Sequence, residues 1–195
     1  MNFQIIEKDQ KLELNVVSKQ TEVDKNFYFG AGWDKPGANE DLDLDIVCAV
    51  LIDGKVTKDT DYVYFGNRTN CAPGIYLSKD NTTGEGEANA DHESIIVKTS
   101  ELEPEVDKLI LGLVAYEGVD LSKAMNTHYR VCDGTEKTSE QIADVKMAAA
   151  APNDTAVVCF ELNKTDAGWV LENKSVFHSL GQGTDVIRAF GSMFT

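Results

Sequence analysis

This sequence predicts an all-β chain, folded as a β-sandwich of two packed antiparallel sheets, on three observations. Short runs rich in Val, Ile, Phe and Tyr recur along it, clusters of Gly, Asn and Asp bound those runs, and no long helical pattern interrupts them. At 195 residues the chain is long enough for one well-filled domain, read as spanning 1–195. Eleven such runs exceed what one sheet usually carries, so two sheets packed face to face are the economical arrangement.

In order, the predicted strands are residues 3–7, 12–17, 27–32, 43–51, 62–65, 94–99, 108–116, 127–132, 140–147, 156–162 and 169–177. "DGK" at 53–55 predicts a tight hairpin turn, because Gly accepts positive φ where other residues resist it, and "NKTDAG" before Trp169 reads the same way. "SELEPEVDK" at 100–108 opens with a capping Ser and an acidic first turn, which predicts a short helical connection. Val186, Ile187, Phe190 and Met193 stand close to helical spacing and predict one C-terminal helix.

Charge excludes some functions. The formal net charge is −15, from 33 acids against 18 Lys and Arg, and an excess of acid repels a phosphate backbone, so no nucleic-acid partner is expected. No run approaches the ~18 apolar residues of a membrane span, and the start, "MNFQIIEKDQK", lacks a signal-peptide pattern, so a cytoplasmic location without stable membrane insertion is expected. Cys48, Cys71, Cys132 and Cys159 are widely spaced and form no C-x-x-C pair, which reads as four reduced thiols, three of them in apolar strand-like runs.

The acids are concentrated in two places. In "EDLDLDIVCAV" at 40–50 the strand alternation puts Asp41, Asp43 and Asp45 on one face and Leu42, Leu44 and Ile46 on the other. From Val47 onward the acid-bearing face turns apolar, so the carboxylates occupy only the strand's entrance, at the end of the sandwich. A second loop, "KDNTTGEGEANADHE" at 79–93, crowds Asp80, Glu85, Glu87, Asp91 and Glu93 around two glycines with no Lys or Arg after Lys79. Together the segments 34–45 and 80–93 carry nine of the fifteen excess negative charges.

Like charges at such spacing repel, and burying them without a counter-charge is costly. Calcium answers this economically: it takes six to eight oxygens in flexible geometry, from carboxylates, Asn side chains and the backbone carbonyls that Gly-rich loops can turn inward. Zinc or copper would call for His or Cys, and His92, His128 and His178 are isolated in the sequence. Neither loop is an EF-hand, since position six falls on Glu85 counted from Asp80 and on Ile46 counted from Asp41.

"FGAGWD" (29–34), "DLDLD" (41–45), "DGKV" (53–56), "DNTTGEGE" (80–87) and "SLGQG" (179–183) stand in the order and rough spacing of the TerD family of tellurium-resistance and stress-response proteins, and the chain resembles that family from about 27 to 190. The resemblance implies a cytoplasmic, calcium-binding β-sandwich without known catalysis, working with protein partners of a stress-response, tellurite or phage-defence pathway. Carried over by position, it implies metal ligands at Asp34, Asp43 and Asp45 and at Asp80, Asn81, Glu85 and Glu87, with Asp91 and Glu93 close enough to join them. Calcium, as two ions, is the expected cofactor. Two departures stand out: Ile46-Val47 follows the D-L-D run where family members commonly have small polar residues, and "ANADHE" at 88–93 replaces their common G-D-D-E.

Two further functions compete with this reading. A calcium-dependent membrane- or protein-binding module would set basic or apolar groups around the metal, and the neighbours here are Trp33, Tyr76 and few cations. A hydrolase using a carboxylate pair needs only two of the acids, whereas a metal cluster accounts for them all. No nucleophile motif or phosphate-binding lysine supports an enzyme, so none is expected.

Overall fold

The structure, a computed structural model, describes residues 11–13, 26–37, 40–68, 71–87, 89–116, 120–166, 168–181 and 184–195. The strands are β1 (Lys11–Glu13), β2 (Asn26–Asp34), β3 (Leu44–Leu51), β4 (Tyr62–Val63), β5 (Ile75–Leu77), β6 (Glu93–Lys98), β7 (Lys108–Ala115), β8 (Met125–Asp133), β9 (Glu140–Lys146), β10 (Ala156–Thr165) and β11 (Gly168–His178). One α-helix, α1 (Thr184–Ser192), follows them. The strand expected at 3–7, most of that at 12–17, and residues 182–183 of "SLGQG" lie outside the described residues.

The strands form two antiparallel sheets. Sheet A has six, in the order β1, β11, β10, β7, β3, β4; sheet B has five, in the order β5, β6, β2, β8, β9. The inner faces meet in a core where Phe29, Ile46, Leu111, Tyr129 and Phe160 are buried, with Phe160 edge-on to both Phe29 and Tyr129.

A second apolar cluster lies on the other side of sheet A, between Val47, Ala49, Leu51, Ile110 and Val158 of the strands and Val186, Ile187 and Phe190 of α1. This is why the outward face of β3 turns apolar after Asp45: α1 covers it from Val47 onward. Phe190 can seat there because residue 112 is Gly, where a Cβ would come within 2.5 Å of the ring. Burying each of the Val, Leu, Ile and Phe side chains here contributes about 1.5–3 kcal/mol.

One local expectation holds and others changed. The hairpin at 53–55 is present, with Asp53 and Gly54 both at positive φ and Ile52 bridged to Lys55. The helical connection at 100–108 reduces to one 3-10 turn at Thr99–Glu101, since Pro104 has no N–H with which to extend it. The strand at 62–65 ends at Val63, and β5 was not expected, being three residues that follow a Pro-Gly turn.

Candidate metal centre

β3 begins at Leu44, just where the acidic run gives way to the core. Leu42, Leu44 and Ile46 point inward and are buried, so Asp43 and Asp45 are carried on the opposite side. Asp41 leaves the group: it lies before the strand, is largely exposed, and pairs with Lys35 at 3.0 Å.

The second acidic loop is tied to the first. Leu42 N–H donates to the Thr83 carbonyl at 3.4 Å, and the Trp33 indole N–H donates to the Leu42 carbonyl at 2.9 Å. Gly84, at φ 67°, lies against the same indole, where a Cβ would come within 2.6 Å of Nε1. The ring of His92 meets Trp33 edge-on at 5.0 Å. Trp33, 1% exposed, is therefore the post on which both loops are hung.

This brings Asp43, Asp45 and Asp80 together, with one carboxylate oxygen from each within 4.8 Å of the others. Asp45 is 1% exposed. Asp45 Oδ2 and Asp80 Oδ1 are buried and lack hydrogen-bond partners. Burial pushes the Asp45 carboxyl up to about 9, helped by the charges of Glu93, Asp43 and Asp80. Hard oxygen donors that are buried and orphaned fit a hard divalent cation.

The other expected ligands are placed differently. Glu93 opens β6 of the opposite sheet, and its carboxylate accepts from Ile46 N–H and Asn81 N–H, both at 2.9 Å. Burial pushes Glu93 up to about 8; the two N–H bonds oppose the shift and nearby Asp80 adds to it. The Asn81 side chain shapes the loop, with Oδ1 accepting from Thr83 N–H and Gly84 N–H. Asp34 accepts from the Asn126 amide at 2.7 Å, and Glu85 and Glu87 are exposed. None of these five is among the three clustered carboxylates.

Asp91 turns to the outer face of sheet B. Its carboxylate accepts from Arg130 Nη2 at 2.6 Å, Arg130 Nε at 3.0 Å and the Tyr28 hydroxyl at 2.9 Å, with His128 Nε2 at 3.4 Å. Burial alone would raise its pKa, but His128, Arg130 and Tyr28 together hold it well below the usual carboxylate range. Two glycines make the room: a Cβ at Gly30 would come within 2.5 Å of the Asp91 carboxyl, and one at Gly32 within 2.0 Å of the Ala90 carbonyl. Across the β2–β8 ladder Gly30 pairs with Arg130 and Gly32 with His128, so the loop lies flat on the sheet and its acid meets the cation. Sequence reasoning missed these partners because Arg130 lies 39 residues from Asp91. The available signal was the alternation of β8, in which Tyr129 and Val131 face the core and leave His128 and Arg130 facing out.

A two-sheet antiparallel sandwich with an acidic cluster at the entrance to a buried strand defines a class of β-sandwich protein with a candidate cation site. The TerD domain matches residues 1–185, and the chain belongs to that family. The tellurium resistance protein TerD of Serratia marcescens is 28% identical over 173 residues, covering 86% of this chain and 85% of that protein. A stress response protein of Bacillus subtilis is 24% identical and covers 94% of each. The crystal structure of a Streptomyces coelicolor homologue of the telluride resistance protein superimposes with a TM-score of 0.67 at 18% identity, covering 89% of this chain and 99% of that one, which shows the shared fold.

Proposed function

We propose that this protein is a calcium-binding β-sandwich of a tellurite-resistance, stress-response or phage-defence system, acting as a metal-dependent sensor or scaffold rather than as a catalyst. The observation that carries the reading is the convergence of Asp43, Asp45 and Asp80 with buried, unpartnered oxygens on Asp45 and Asp80. Two of the three are delivered by the entrance to β3 and the third by the loop after β5. The ion supplies positive charge between strand and loop; the chain supplies the oxygens, the Trp33 post and the Glu93 bonds that hold strand and loop in place. One such cluster occurs among the described residues.

Among the described residues no helix is long and apolar enough to cross a membrane. The free thiols of Cys48, Cys71, Cys132 and Cys159 support a reducing compartment, the cytoplasm. Protein partners of a stress-response complex would then read the calcium-dependent shape of the two loops.

The test is a calorimetric titration of chelator-treated protein with calcium and then magnesium, together with thermal unfolding. Calcium at a hundredfold excess over its dissociation constant should add about 2.7 kcal/mol of stability. No heat of binding and no shift in melting temperature would rule the metal reading out.

A further inference from the structure

Resting on that calcium reading, we infer that Glu93 is a positioning residue that sets the distance between the two halves of the metal centre, and is not itself a ligand. Its place in the fold argues for this. Glu93 belongs to sheet B, and the side chain of this residue, which is 3% exposed as a whole, crosses to the edge of sheet A. There Oε2 accepts the Ile46 N–H, occupying the ladder position ahead of β4, which pairs with β3 only at Cys48 and Ala49. Oε1 accepts the Asn81 N–H of the acidic loop.

The two donors are the residues that directly follow two of the clustered carboxylates, Asp45 and Asp80. One rigid carboxylate thus holds the backbone one bond beyond each of two oxygen donors, one on a strand and one on a loop. Both Glu93 oxygens are engaged, whereas Asp45 and Asp80 each keep a buried oxygen without a hydrogen bond. Groups that orient ligands are commonly worth about 10–100-fold in metal affinity without touching the metal.

Glu93→Gln separates the roles. Glutamine keeps one acceptor oxygen but sets an NH2 donor against the second N–H, so one half of the clamp is lost. Terbium replaces calcium as the probe, because its luminescence lifetimes in H2O and D2O count the waters on the ion. The variant should bind terbium and calcium about 10–100-fold more weakly with the water count unchanged. Amide exchange of metal-free protein should quicken at Ile46, Asn81 or both, measured by NMR.

A water count raised by about one with both amides still protected would overturn the inference and make Glu93 a ligand. An unchanged affinity would overturn it as well. Should the variant not fold, amide exchange in the wild type decides: rapid exchange at Ile46 and Asn81, against slow exchange elsewhere in β3, would show that no clamp exists. A wild type that binds neither ion removes the metal centre, and with it anything to position, while the exchange data still report on the clamp.

Discussion

Asp45 and Asp91 are both buried carboxylates in an acidic chain, and the structure treats them in opposite ways. The Asp45 residue is 1% exposed and the Asp91 side chain 3%. Asp91 is gripped by Arg130, Tyr28 and His128 and held ionised, while Asp45 meets Glu93, Asp43 and Asp80 and is pushed up to about 9. The difference teaches that acidity within one chain serves two ends. One acid completes the fold with a cation the chain itself supplies, and the others form a site that lacks one.

The largest expected effect lies on the Asp91 side. Arg130→Ala leaves a buried carboxylate with only His128 and Tyr28, and should cost about 3–5 kcal/mol in urea denaturation, with or without calcium. A loss below about 1 kcal/mol, the range of surface pairs, would erase the distinction between the two centres.

Asp45→Asn should act in the other direction. It removes a buried acid that on folding must either take up a proton or repel Glu93, Asp43 and Asp80, so the metal-free protein should keep its unfolding midpoint or gain, while calcium affinity falls at least about tenfold, or about 1.4 kcal/mol. Metal-free protein that unfolds on this substitution, with affinity intact, would assign Asp45 to the fold.

The finest contrast is with pH. Asp45 and Glu93 hold their protons more tightly when folded, so the folded state binds more protons than the unfolded chain. Their contribution to metal-free stability is therefore largest below the ordinary carboxylate range, near pH 4, and declines as pH rises towards about 8 for Glu93 and about 9 for Asp45. Asp91 works the other way, contributing fully above the ordinary carboxylate range and losing its contribution as pH falls through its depressed value. Urea midpoints from pH 5 to 9 should decline in chelator and flatten in calcium; equal slopes in both would detach these acids from any metal.

Much of the sandwich was legible because strands announce themselves by alternation and by the glycines and polar clusters that bound them. The acidic strand was legible for the same reason: Leu44 and Ile46 fix its inner face, which fixes where Asp43 and Asp45 go. β5 escaped because three residues are too few to show a period. Strand alternation puts Asp41 on the same face as Asp43 and Asp45, but the strand begins only at Leu44 and Lys35 takes the Asp41 carboxylate instead. Asp91 was grouped with the ligands because its loop offers no cation; its partner arrives on β8, through a ladder register that local sequence does not encode. Glu93 sits in the acidic loop by sequence yet begins a strand of the other sheet, a role set by tertiary pairing alone.

The first half of β3 carries one more consequence. β4 pairs with β3 only at Cys48 and Ala49, yet Leu44, Asp45, Ile46 and Val47 stay buried, so side chains rather than a strand close this stretch of edge. Bare strand edges recruit strands from other molecules. Glu93, by taking the Ile46 N–H, removes a backbone donor that such a strand would pair with.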